Sequence, residues 1–236
     1  MEIVFQCEEE QLDSKQIEEI RKVLNDGGMC ILPSDSTFIL TGYLQHKGMT
    51  DDLDKVLERN GLQISMAFAS LGQVCKKMKL TDMGRKFVKR LSPDGLTFVA
   101  SPSYHYSTFS KTQLHADGTV GMMISRSKVE RELAKVNPIP TTPIRDEANE
   151  EVFNTGEAIQ IIEERMKKYQ VVRPIAVVDG VVPHPGRLST VVKEERHNGL
   201  WRIVVLRENS ISFDAIDRVA KQCGYTGTVR REWRAK

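Results

Sequence analysis

The chain has little from which to build a disulfide framework. Its 236 residues hold four cysteines, Cys7, Cys30, Cys75 and Cys223, widely spread and with no CxxC pair. A chain of this length can bury its own core without covalent staples, so reduced thiols are expected, with Cys30 a small buried hydrophobe inside MCIL. The five histidines show no short ligand spacing such as HxxxH, so no structural metal is expected. No apolar run approaches the roughly 20 residues of a membrane span. The opening MEIVFQCEEE lacks the basic and apolar regions of a secretory signal, and the expectation is a cytoplasmic protein. Charge of one sign is also missing: 34 Lys and Arg stand against 32 Asp and Glu, a net +2. That balance excludes a uniformly basic nucleic-acid coat and leaves room for a local basic face.

What is present is ordinary globular material, 40% hydrophobic and 28% charged. Ile3 to Phe5 reads as a strand. Asp13 or Ser14 can cap a helix carrying Ile17, Ile20, Val23 and Leu24 at helical spacing, and Gly27-Gly28 ends it. Met29 to Leu32 is a continuous apolar run of buried-strand type. Helices are expected over 51–58, over 72–91 with an interruption near Thr81, from Ser127 to Val136, over 155–169 and from Ser212 to Gln222. Strands are expected over 96–100, 119–124, 174–178, 188–192 and 201–206, with Asn198-Gly199 turning a hairpin. The stretches 101–118 and 141–154 read as long loops. Helices and strands interleave throughout, so the class is α/β, a single-domain twisted mixed sheet with flanking helices. The domain is drawn over 1–216 and a basic C-terminal tail over 217–236. The tail has six basic residues against two acidic ones, interleaved with Tyr225 and Trp233. Within it Arg230, Arg231, Trp233 and Arg234 are candidate contacts for an RNA backbone and stacked bases, and a solvated tail is the competing reading.

The common nucleotide and hydrolase signatures are absent: there is no GxxxxGK[ST], no GxGxxG and no GxSxG. Small hydroxyl residues instead gather where strands end, at Pro33 to Phe38, Thr141 to Pro143, Gly186 to Thr190 and Arg207 to Ser210. In open α/β sheets ligands bind beyond strand carboxyl ends, where hydroxyls and an Arg can hold phosphate oxygens. Taken singly each segment is also a plausible turn.

In order, these segments resemble the YrdC-like family. Gly27 to Phe38 is similar to its opening GG-apolar-PTDT-x-Y motif, and Leu91 to Val99 to its L-x-PGP-x-TF segment. Thr119 to Ile124 resembles TVG-x-R-[IV]-P, and Pro140-Thr141-Thr142 sits where the family has P-x-x-[ST]-[ST]. Gly186 to Val192 resembles G-x-x-STVVD and Val205 to Ile211 the closing LR-x-GAI. The resemblance runs from about residue 12 to about 216. It implies a YrdC-like α/β fold with a large concave, basic cavity. It also implies threonylcarbamoyl-AMP synthesis from L-threonine, bicarbonate and ATP with Mg²⁺, for threonylcarbamoyladenosine in tRNA, and double-stranded RNA or tRNA as a partner. The implied nucleotide and substrate contacts are Ser34, Ser36, Phe38, Thr97, Thr119, Ser189 and Arg207.

The implied catalytic set is Arg59, Lys55 and Thr142, and here the chain departs from the family. In its KxR motif Arg59 takes the Arg place, but Leu57 stands for Lys unless Lys55 serves in a shifted register. In SxN the chain has Thr142-Pro143-Ile144, the strand Arg is Met123, and the aspartate after STVV is Lys193. Losing Lys, Arg and Asn from a phosphate-facing cavity lowers its charge, a pattern similar to the YciO-type branch. Three functions follow from the resemblance: a synthase-like nucleotidyltransferase, a catalytically degenerate nucleotide- or RNA-binding module, and a small-molecule carbamoyl-type transferase partner.

Overall fold

The computed structural model describes residues 2–6, 12–58, 64–103 and 117–232. The strands are β1 (Glu2–Gln6), β2 (Met29–Pro33), β3 (Phe38–Gly42), β4 (Ser65–Phe68), β5 (Leu96–Ala100) and β6 (Val120–Ile124). They continue with β7 (Ile139–Pro140), β8 (Thr142–Pro143), β9 (Ile175–Asp179), β10 (Thr190–His197), β11 (Leu200–Arg207) and β12 (Arg230–Arg231). The helices are α1 (Ser14–Asn25), α2 (Met49–Val56), α3 (Leu71–Lys77), α4 (Asp82–Leu91), α5 (Lys128–Ala134), α6 (Thr155–Tyr169) and α7 (Phe213–Cys223).

The expected α/β class holds, with the strands divided between two mixed sheets. One runs β1-β9-β2-β3-β8 and the other β12-β11-β10-β5-β6-β4-β7. The chain steps between them at Thr141: β7 pairs with β4, β8 pairs with β3, and the Thr141 amide donates to the Ser65 carbonyl at 2.9 Å. This step lies in the stretch expected to be loop from 141. The missed β3 and β4 are only five and four residues long and almost wholly buried. Strands covered on both faces carry no polar alternation to betray them.

Burial of β2 shows how the first sheet is held. Met29 and Ile31 face α2 and α6, where Leu53, Val56, Ala158 and Ile162 pack. Cys30 and Leu32 face α1 and α5, against Ile20, Leu24 and Leu133. The twofold period of a strand thus distributes one apolar run over two cores. In the second sheet Leu96, Phe98, Ala100, Val120 and Met122 join Val192, Ile203 and Val205 above α4 and α7. The intervening Thr97 and Met123 turn the other way, toward the site.

Helix boundaries follow side-chain chemistry. Asp13 and Gln16 close a capping box at α1. Thr81, which interrupts the expected 72–91 helix, caps α4 by accepting from the Gly84 amide. Ser127, Asn154 and Ser212 cap α5, α6 and α7 in the same way. Asn198 and Gly199 both take positive φ, +49° and +80°, as the β10–β11 hairpin requires. The boundary drawn at 216 falls inside α7. Ala220, Cys223, Tyr225 and Val229 beyond it are buried, and β12 adds a parallel edge strand to β11. Apolar residues at helical spacing override the basic composition that made this stretch read as a tail. Among the described residues no helix is long and apolar enough to cross a membrane.

Candidate functional site

A cavity of about 360 Å³ opens where the two sheets meet. The second sheet supplies Ser65, Thr97 and Met123, and the first supplies Ile39 and Thr142. Three connections close it: residues 34–37 after β2, 145–149 after β8, and 187–189 before β10. Gly121 lines up behind Thr97, and a Cβ there would meet Ser65 Oγ at 2.7 Å and Thr97 Cγ2 at 3.1 Å. A side chain at that point would force Ser65 and Thr97 to shift.

One end of the cavity is built on β5, β10 and β11. Thr97 Oγ1 and Ser189 Oγ are 2.7 Å apart. Arg207, the last residue of β11, donates from Nη2 to the Ser189 carbonyl at 2.9 Å and to Ser189 Oγ at 3.2 Å, and from Nε to the same carbonyl at 3.1 Å. More than a third of Arg207 is exposed, yet its guanidinium is partly buried. That burial pushes its pKa down, Glu151 opposes the shift, and the nearby Arg145 adds to it. Two guanidiniums close enough to repel are a natural receptor for a polyanion. Arg187 lines the same end.

The floor is polar and buried. Ser34 Oγ donates to Glu130 Oε2 at 2.8 Å, and the Ser125 hydroxyl donates to the same oxygen. Glu130 is fully buried, and burial raises its pKa despite hydrogen bonds from Ser125, Ser34 and Thr141. Asp35 pairs with Arg126 at 3.6 Å and with His184 Nδ1 at 3.1 Å. The loop bearing His184 is tied down further, since its amide donates to the Asp35 carbonyl at 3.0 Å and that of Gly186 to the Ser36 carbonyl at 3.0 Å.

The other end lies between α2 and α6. Glu58, at φ +48° just past α2, accepts from Lys168 Nζ and Tyr169 Oη, each at 2.7 Å. These bonds hold its carboxyl below the usual range. Its second oxygen pairs with Arg165 Nε at 3.3 Å. Arg165 Nη2 donates to the Arg145 carbonyl at 2.8 Å, while Arg145 itself pairs with Glu151 at 3.0 Å.

Of the candidates read from sequence, Ser34, Ser36, Thr97, Thr142, Ser189 and Arg207 converge on this cavity. Three do not. Phe38 is fully buried in the core between β3, α2 and α6, because its neighbour Ile39 takes the cavity-facing side of the strand. Thr119 lines a different cavity and bonds Asp117 Oδ1 at 2.6 Å. Lys55 is exposed on α2, since Met49, Leu53 and Val56 occupy the helix's inner face and Leu57 and Glu58 reach the cavity instead. Arg59, Trp233 and Arg234 lie outside the described residues. Arg230 and Arg231 are exposed on β12, with Arg231 paired to Glu208 at 3.2 Å and stacked 4.3 Å from the Phe213 ring.

Sequence reasoning misses Glu58, Glu130, Arg145 and Arg165. Two of these carried a readable signal. Ala158, Ile162 and Arg165 fall at i, i+4 and i+7, so an arginine occupies the buried face of α6. Glu130 likewise shares the inner face of α5 with Leu133 and Ala134. A charged residue on an apolar helical face has a partner or a task.

An α/β chain with a cavity between two mixed sheets, lined by hydroxyls, four guanidiniums and four carboxylates, is the class these observations define. The family model of the Sua5, YciO and YrdC proteins, described as telomere recombination, matches residues 22–208. The chain belongs to that family. No curated protein matches it. Among solved structures it is similar to P. abyssi Sua5 complexed with L-threonine, at TM-score 0.74 and 16% identity over 98% of this chain. The chain spans 62% of that protein's length. It is also similar to E. coli YciO, at TM-score 0.65 and 15% identity over 89% of this chain and 95% of that one. Full-length HypF in its phosphate- and nucleotide-bound form gives TM-score 0.60 and 15% identity over 80% of this chain and 28% of its own. At these identities the likeness is one of fold.

Proposed function

We propose that the inter-sheet cavity binds ATP and that the chain is a nucleotidyltransferase of the threonylcarbamoyl-AMP synthase type. In that reaction a carbamate oxygen formed from L-threonine and bicarbonate attacks the α-phosphorus, and pyrophosphate leaves. The protein's part is to position the reactants and to neutralise phosphate charge. The observation that carries this reading is the convergence of Arg207, Ser189 and Thr97 with Arg145 and Arg187 on one cavity. Two fold relatives are bound, in one case to L-threonine and in the other to phosphate and nucleotide. Mg²⁺ fits this chemistry as an ion carried on phosphate oxygens, with Asp146 or Glu147 at the cavity rim as a supplementary ligand. Among the described residues no three acidic, His or Cys side chains form a metal cluster of their own.

A second reading is a nucleotide- or RNA-binding module without the transfer step. It is favoured by Leu57 and Met123, apolar cavity residues at places where the family's pattern has cations. One assay separates the two. Pyrophosphate release from ATP that depends on both L-threonine and bicarbonate supports the first. Saturable ATP binding without release supports the second, whose RNA form further predicts tRNA affinity that falls steeply with salt.

A further inference from the structure

Residues 180–189 carry the chain from β9 in the first sheet to β10 in the second, with no helix or strand between. Val182 is buried near the start of this crossing, and Ser189 is bonded to Arg207 at its end. Between those anchors run Pro183, His184, Pro185, Gly186 and Arg187, of which the last four are exposed. The two prolines fix their own φ and stiffen the piece. Gly186, at φ +70° with nothing within 4 Å of where a Cβ would stand, is its loose joint. Three contacts tie the piece to the loop after β2. The His184 amide donates to the Asp35 carbonyl at 3.0 Å, and that of Gly186 to the Ser36 carbonyl at 3.0 Å. The third is His184 Nδ1, 3.1 Å from Asp35 Oδ1.

We propose that residues 183–187 form a strap between the two sheets, and that His184 is the positioning residue that latches it to Asp35 and so holds Arg187 at the cavity. His184 acts through its neighbours. Asp35, Ser36 and Arg187 line the cavity, and the Arg187 amide donates to the His184 carbonyl at 3.1 Å, which couples the two residues. An ionised carboxylate only accepts, so the imidazole donates from Nδ1 and its tautomer is fixed. Asp35 is a firm post for this latch, since it also pairs with Arg126, whose Nε donates to the Pro93 carbonyl at 3.1 Å. The ring itself is 43% exposed. A single bond on so open a side chain breaks far more readily than the core, and its release frees a stiff segment that carries a guanidinium. The consequence for a ligand rests on the ATP reading above; the latch does not.

The test compares the full chain as wild type, His184→Ala, His184→Leu and His184→Asn. Amide hydrogen exchange is read without ligand at positions 184, 186 and 187, and ATP association and dissociation rates are then measured by surface plasmon resonance. In His184→Ala those three amides should exchange roughly three- to tenfold faster, the worth of one hydrogen bond, while the amides of β10 and β11 keep their rates. His184→Asn, whose side-chain amide stands where Nδ1 stood, should restore most of the protection. Should His184→Ala not fold, His184→Leu decides, because it fills the space of the ring without a donor. ATP should leave His184→Ala faster by a similar factor, with its association rate unchanged. Unchanged exchange, exchange raised equally through β10 and β11, or no rescue by asparagine would overturn the latch. Faster exchange with unchanged ATP dissociation would overturn the role of His184 in holding a ligand. The expected exchange pattern in a protein that binds no ATP would keep the latch and remove the ATP reading.

Discussion

Glu130 has no exposed surface, and three hydroxyls crowd its carboxyl. Burial disfavours the charged form more than those hydrogen bonds restore it, so its folded pKa is raised above that of the unfolded chain. The stability it contributes is complete below the ordinary carboxylate pKa and is lost as pH rises through the raised value. Glu130→Gln keeps the shape and removes the titration. The difference in melting temperature, variant minus wild type, should therefore grow more positive between pH 5 and pH 8. A difference that does not change with pH would show that Glu130 is as easily ionised in the fold as outside it. Ser34 was legible as a site residue from its place after a strand. Its partner Glu130 is 96 positions away, and no local pattern links the two.

Elements were legible where capping and period act locally. Asp13, Ser127 and Ser212 each stand where a side chain must satisfy the first amides of a helix, and each does. The Asn-Gly hairpin followed from the positive φ its turn demands. β3, β4 and β8 were not legible, because short strands buried within a fold owe their conformation to pairing partners distant in sequence. The join between α1 and β2 is a further case in which geometry leaves no slack. A Cβ on Gly28 would lie 2.6 Å from Val23 Cγ1, 2.7 Å from the Pro174 carbonyl oxygen and 2.8 Å from that of Val23. Two of these neighbours are backbone and cannot rotate away. Gly28→Ala should cost about 1–3 kcal/mol by overpacking, and thermal unfolding should show it as a drop of about 2–4 °C for each kcal/mol. An unchanged melting temperature would mean that α1 and β9 can separate freely at this point.

At the scale of the whole molecule, composition was a poor guide and position a good one. The near-neutral charge said nothing of a cavity in which Arg145, Arg165, Arg187 and Arg207 meet. The basic C-terminal stretch supplies Ala220, Cys223, Tyr225 and Val229 to the core, and the Tyr225 hydroxyl donates to Glu194 at 2.7 Å. Truncation after residue 216 should abolish the cooperative unfolding transition, whereas a dispensable tail would leave the melting temperature untouched. Departures from the family's pattern also mean something narrower once placed. Leu57 and Met123 do make the cavity wall apolar, but arginines from α6 and from the chain after β8 enter the same space. On the proposed function, this space binds ATP with Arg207 at its core. It is tested most directly by titrating ATP into wild type and Arg207→Ala, both checked for an intact fold. A charge-assisted hydrogen bond is worth about 1.5–3 kcal/mol, so one saturable site per chain, weakened roughly tenfold or more in the variant, is the predicted result. No ATP binding by the wild type, or binding that Arg207→Ala leaves unchanged, would contradict it.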